Sequence, residues 1–151
     1  MNVLILYDTK HGFTEKCARY LKGLLPGSSI FELGEVFNIL EFDKVLLGSY
    51  IYMGRISENA SDFLKKYKSK LLDKELGIFC SALDKNDYLN ALQKSIDPEI
   101  FYHAKIVLPG GKVKLEELNF FEKRKLKKRI NVTENREEFY PNRLDELLEL
   151  K

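Results

Sequence analysis

Three polar and aromatic stretches carry the side chains with which this sequence could do chemistry. The first, Thr9-Lys10-His11-Gly12-Phe13-Thr14, follows the apolar run Val3-Leu4-Ile5-Leu6-Tyr7. It precedes apolar residues at Cys17, Ala18, Leu21, Leu24 and Leu25, which share one face of a helix with Glu15 in its first turn. A loop between a buried strand and a helix leaves the first N–H groups of that helix unpaired at the sheet edge. With Thr9 and Thr14 hydroxyls on its rim and Gly12 admitting a close backbone approach, it suits a phosphate. The same residues also suit a loop that only turns and caps, so local chemistry leaves both readings open. The second stretch, Ser49-Tyr50-Ile51-Tyr52-Met53-Gly54, offers two flat rings and a polarisable sulfur. The third, Ser81-Ala82-Leu83, ends another apolar run and opens a polar loop.

These stretches need a scaffold, and the hydrophobic pattern supplies one. Apolar runs of strand length cover 3–7, 28–33, 44–50, 75–81 and 104–108, and helical spacing covers 14–25, 57–72, 87–96 and 144–150. Leu25-Pro26-Gly27 and Asp97-Pro98 read as stops, 51–56 as an apolar loop, and Pro109-Gly110-Gly111 as the close of the last strand. Five strands alternating with helices predict an α/β fold in three layers, a parallel sheet with helices on both faces. Right-handed crossovers favour the flavodoxin-like strand order 2-1-3-4-5, which puts the ligand crevice at the carboxyl ends of strands 1, 3 and 4. Those ends are the three stretches above. At 151 residues the chain is expected to form one domain, 1–151.

Charge singles out one more region. From Lys112 to Arg129 there are eight basic residues against three acidic ones, a net +5 on a chain whose total is +2. With Leu115, Leu118, Phe121, Leu126 and Ile130 forming an interrupted apolar stripe, residues 112–130 read as a basic helical excursion before the terminal helix. It either keeps a surface helix solvated or attracts an anionic membrane surface or a substrate's carboxylates. Its lysines lack the interleaved aromatics of a single-strand binder, so no nucleic-acid partner is expected. The only cysteines, Cys17 and Cys80, form no C-x-x-C and read as buried thiols, and two histidines give no metal site. No apolar run reaches membrane-span length and the N-terminus enters a strand directly, so a cytoplasmic protein is expected.

Among ligands for such a fold, a dinucleotide would call for G-x-G-x-x-G in the first turn, where only Gly12 stands. Flavin mononucleotide (FMN) fits better. Its phosphate asks for hydroxyls and N–H groups, and its ring for flat side chains or backbone to lie against. The first loop supplies the former; Tyr50, Tyr52, Met53 and Gly54 supply the latter.

Tyr7-Asp8-Thr9-Lys10-His11-Gly12-Phe13-Thr14 resembles the phosphate loop of the flavodoxin family, Thr/Ser-x-Thr-Gly-x-Thr after a hydrophobic strand, with matches at Thr9, Gly12 and Thr14. His11 and Phe13 depart from it, and only their backbone roles carry over. The stretch from Leu47 to Gly54, a helix with Phe63-Leu64-Lys65-Lys66, and the basic segment after Gly110-Gly111 resemble the branch that includes the menaquinone-dependent protoporphyrinogen oxidase. The resemblance implies an FMN-binding electron-transfer protein or FMN-dependent oxidoreductase serving a redox partner protein or a small-molecule electron donor or acceptor. The alternatives are an oxidase of porphyrinogen-like or quinol substrates, or a flavodoxin-fold binding module without flavin.

Overall fold

The computed structural model of the protein describes residues 1–113, 118–130 and 134–149. Its centre is the run read first in the sequence. Strand β1 (Val3–Tyr7) is buried at every position, because the sheet is covered on both faces. The parallel strands β2 (Ser29–Glu32), β1, β3 (Lys44–Tyr52), β5 (Glu75–Ser81) and β6 (Lys105–Val107) lie side by side in that order. By chain order this is the expected 2-1-3-4-5 winding, with the reversal of direction between β1 and β3.

Alternate residues of each strand feed opposite layers. Leu4, Leu6, Val45, Leu47 and Ile78 face helices α2 (Glu58–Lys66), α3 (Lys68–Leu72), α4 (Lys85–Ser95) and α5 (Pro98–His103), which contribute Ala60, Phe63, Leu64, Leu71, Leu92 and Ile100. Val3, Ile5, Tyr7, Leu46 and Phe79 face α1 (Phe13–Leu24) and the chain's end, with Cys17, Ala18, Leu21, Leu144 and Leu147. Leu21 and Leu144 are fully buried, and each such leucine contributes about 1.5–3 kcal/mol. Both cysteines are free and buried, one in each layer, and burial pushes their thiols up to about 12. They are neutral core residues rather than thiolates.

Several sequence expectations need correction. The segment 51–56 is not a loop: β3 runs on to Tyr52 and turns back as β4 (Arg55–Ile56), pairing Tyr52 with Arg55. Met53 and Gly54 both have positive φ, 53° and 78°, the backbone of a type I′ hairpin turn. The helix expected over 57–72 breaks at Tyr67 (φ −108°, ψ 16°), whose ring packs on Phe63 with centroids 5.1 Å apart. Asp97-Pro98 follows the end of α4, as expected, and also starts a helix of its own: Asp97 accepts from Glu99 N–H at 2.9 Å, and proline takes the first turn, where it lacks no needed donor. The terminal helix is short, α7 (Pro141–Asp145) followed by a 3₁₀ turn (Glu146–Glu149).

The largest difference lies after β6. Gly110–Val113 forms strand β7, antiparallel to β8 (Arg136–Phe139), and among the described residues the helix α6 occupies Phe120–Ile130. Leu115, also placed on the expected stripe, lies outside the described residues. Chain entry and exit of this segment are pinned together: Tyr140 N–H donates to Pro109 C=O at 2.8 Å, and Arg143 Nη1 to Leu108 C=O at 3.0 Å.

Candidate functional site

The topological reversal leaves a crevice at the carboxyl ends of β1, β3 and β5, where no crossover covers the sheet edge. A cleft lies there, open to solvent on one side. The three stretches named from sequence converge on it. Thr9, Lys10, His11, Phe13 and Thr14 line it from the first loop. Tyr50, Ile51, Tyr52 and Met53 line it from the hairpin, and Ser81, Ala82 and Leu83 from the third loop. Gly12, Ser49 and Gly54 do not line it. Ser49 is buried behind the wall, where its hydroxyl accepts from Ser57 N–H at 3.0 Å and donates to Tyr50 C=O at 2.9 Å. Its role is to brace the β3 end against the start of α2.

The first loop presents backbone N–H groups and hydroxyls that can receive an anion, with the hydroxyls partly committed to bracing. Gly12 begins α1 in a left-handed conformation (φ 83°) without a side-chain cap, so the helix's first N–H groups and dipole face the cleft uncapped. Thr9 Oγ1 accepts from Gly12 N–H at 3.0 Å, which closes the loop and leaves its own proton available. The Thr14 and Ser81 hydroxyls sit 3.1 Å apart and are buried, tying the first loop to the third. In such a pair one hydroxyl donates to the other, and the acceptor's proton is free for a ligand. Phe13 turns inward, edge-on to Phe139 with centroids 5.7 Å apart, so only its backbone serves the loop.

Aromatic side chains form the opposite wall. Burial and the negative charge of Asp8 raise the Tyr50 phenol. Burial, and then the bond to the Glu122 carboxylate, push Tyr52 up to about 12. Both are neutral rings across the ordinary pH range. Met53, held at positive φ in the turn, brings its side chain to the same wall.

Five lining residues escaped the sequence reading of the site: Asp87, Lys112, Val113, Leu118 and Glu122. Asp87 lies in the first turn of α4, whose N-cap Asp84 accepts its N–H at 2.9 Å. The others come from the segment after β6, which forms a fourth wall. A signal for it existed in Asn119-x-x-Glu122, a capping-box spacing that marks the start of α6. Asn119 Oδ1 accepts from Glu122 N–H at 2.9 Å, and Asn119 N–H donates back to Glu122 Oε1 at 3.2 Å.

A doubly wound sheet in this order, with its cleft at the reversal point, defines the flavodoxin-like class of folds. The family model described as "Flavodoxin domain" matches residues 4–139, and the chain belongs to that family. Solved structures agree on the fold. A flavodoxin, WrbA-like protein from Agrobacterium tumefaciens superposes with a TM-score of 0.58 at 17% identity, covering 99% of each chain. A Fusobacterium nucleatum flavodoxin bound to flavin mononucleotide gives 0.56 at 18% identity, over 70% of this chain and 68% of that one. A flavoprotein in complex with FMN from Lactobacillus acidophilus gives 0.54 at 16%, over 73% and 91%. No protein of curated function matches in sequence. Among the described residues, no helix is long and apolar enough to cross a membrane, and no group of three His, Cys, Asp or Glu side chains could hold a metal ion.

Proposed function

We propose that the protein is an FMN-binding redox protein of the flavodoxin type, carrying electrons or hydride through the bound flavin between a donor and an acceptor. The observation behind this reading is the meeting of an uncapped helix N-terminus and an aromatic hairpin in one cleft at the reversal of the sheet. The flavin, when bound, supplies one- and two-electron chemistry, and the protein's part is to bind, orient and shield it. The first-turn N–H groups of α1, with the Thr9 hydroxyl and one hydroxyl of the Thr14–Ser81 pair, would hold the phosphate. Tyr50, Tyr52 and Met53 offer flat and polarisable surface to the ring. Adding FMN to apoprotein should quench flavin fluorescence with one-to-one stoichiometry. Thr14→Val, which breaks the hydroxyl pair, should weaken binding about tenfold, the loss expected for a bond to a charged group. Unchanged flavin fluorescence on adding apoprotein would leave the flavin-free binding module as the better reading.

One observation favours a second reading, an oxidase that works at an anionic membrane surface. On α6, Phe120 and Phe121 are 70% and 71% exposed, beside exposed Lys123, Arg124, Lys127 and Lys128. Exposed rings among cations suit the interface of an anionic bilayer. Flotation with phosphatidylserine vesicles should carry the protein at low salt and release it at high salt. Protein that stays at the bottom of the gradient at low salt speaks for a soluble redox carrier.

A further inference from the structure

Three side chains distant in sequence meet across the mouth of the cleft. Lys10 comes from the first loop, Tyr52 from the last position of β3, and Glu122 from the first turn of α6. Tyr52 donates its phenol proton to Glu122 Oε2. Lys10 Nζ lies 3.6 Å from the same oxygen and 4.0 Å above the centre of the Tyr52 ring. The other carboxylate oxygen, Oε1, accepts from Asn119 N–H in the capping box. One carboxylate therefore closes the first turn of α6 and ties that turn to two other walls of the cleft. The Tyr52 bond and then the Asn119 N–H hold the Glu122 carboxyl below its usual range, which favours its ionised form.

This contact differs from an ordinary surface ion pair, whose worth is small. A phenol bonded to a carboxylate is charge-assisted, and the ammonium over the ring adds a cation–π attraction. Leu118, one residue ahead of the capping box, is buried against the cleft, so the approach of α6 also covers apolar surface. The contact joins the first loop and the hairpin to α6, and all three line the cleft.

We propose that Glu122 is a latch: it holds α6 across the cleft mouth through Tyr52 and Lys10, and ligand exchange requires that contact to open. Glu122 is thus a positioning residue that sets the position of Tyr52 and of the fourth wall. The identity of the exchanging ligand rests on the flavin reading above; the latch itself does not. A gate and a ligand contact leave different kinetic marks. Loosening a gate speeds entry and exit together and leaves affinity nearly unchanged, whereas losing a contact mainly speeds exit.

The test compares wild type, Tyr52→Phe and Glu122→Gln. Tyr52→Phe keeps the ring and the capping box and removes only the bond to Glu122. Glu122→Gln keeps the box, which accepts glutamine, and removes the charge. Stopped-flow mixing of apoprotein with FMN, followed by flavin fluorescence, should give association and dissociation rates both raised roughly fivefold to tenfold in Tyr52→Phe, the factor that a bond of about 1 kcal/mol controls. In Glu122→Gln, which leaves both tyrosine rings and the hydroxyls of the first loop in place, both rates should rise by a smaller factor and the equilibrium constant should stay within about twofold. In parallel, trypsin should cut apo Tyr52→Phe faster than apo wild type after Lys123, Arg124, Lys127 or Lys128, with the rest of the chain cut at the wild-type rate. A rise in dissociation alone would make the Tyr52 hydroxyl a ligand contact and overturn the latch. So would equal tryptic rates in the two apoproteins. If wild type takes up no FMN, the flavin reading fails, and the tryptic comparison decides the latch by itself.

Discussion

Gly48→Ala is expected to lower stability by about 3 kcal/mol, at the upper end of the cost of overpacking. A β-carbon at residue 48 would lie 2.2 Å from Phe79 Cε2 and 2.4 Å from its Cζ. The Phe79 ring is fully buried on the neighbouring strand, in an interior where close packing resists its displacement. Urea unfolding read by far-ultraviolet circular dichroism should show the midpoint fall with an unchanged slope. The double variant Gly48→Ala/Phe79→Leu should be more stable than the sum of the two single losses, by about 1 kcal/mol or more. Strict additivity would mean that the strand spreads to admit the methyl group. Because Gly48 immediately precedes the hairpin wall of the cleft, the single variant should also lose ligand affinity, and the double variant should regain part of it.

The second large effect is expected at Gly110. A β-carbon there would stand 1.9 Å from the backbone oxygen of Glu138, and the residue has φ 123°, a conformation that side chains rarely adopt. Neither the oxygen nor the dihedral can yield without parting β7 from β8, because Gly110 pairs with Phe139. Strain at such a dihedral and overpacking each cost about 1–3 kcal/mol, so Gly110→Ala should destabilise by roughly 3–5 kcal/mol. The damage should reach the cleft. Gly110 C=O accepts from Ala82 N–H at 2.8 Å, and Lys112 and Val113 of the same strand line the cleft. FMN affinity, measured at a temperature where the variant is still folded, should fall by about tenfold or more. Gly23→Ala, where nothing lies within 4 Å of the new carbon, is the matched control and should be neutral or slightly stabilising in its helix. Equal stability of the two variants would show that the ribbon tolerates separation at its first pair.

These glycines show why some of the fold was legible in the sequence and some was not. β1, β3 and β5 were legible because each is buried on both faces along most of its length, so apolar residues run together at 3–6, 45–47 and 78–80. The winding followed from the alternation of strands and helices, and with it the three loops that reach the cleft. The β3–β4 turn was hidden because Met53-Gly54 lacks the Asn-Gly or Asp-Gly signature of a type I′ turn, and methionine accepts a positive φ there. Gly110-Gly111 read as the end of a strand, whereas these residues are small because backbone passes close to them: a β-carbon on Gly111 would meet Ala82 C at 2.6 Å. Such a contact involves residues nearly thirty positions away, which no local pattern records. The same reason hid Glu122. Its capping partner is three residues away and visible, but its meeting with Lys10 and Tyr52 exists only once the chain is folded.

The hydrogen bond from Tyr140 to Pro109 carries a consequence for how such a protein can change over time. The chain departs and comes back at one point, and the β7–β8 pairs fix Gly110 and Phe139 there, so the residues between those two strands form a detour whose length and composition can vary at little entropic cost to the scaffold. The sheet and the loop from Thr9 to Thr14 stay as they are while this detour is lengthened, shortened or rewritten. One wall of the cleft, the latch, and the cationic outer surface are all carried on it in whole or in part. A lineage can therefore reshape that wall and its surface by editing one continuous piece of the gene, leaving the sheet and the first loop untouched.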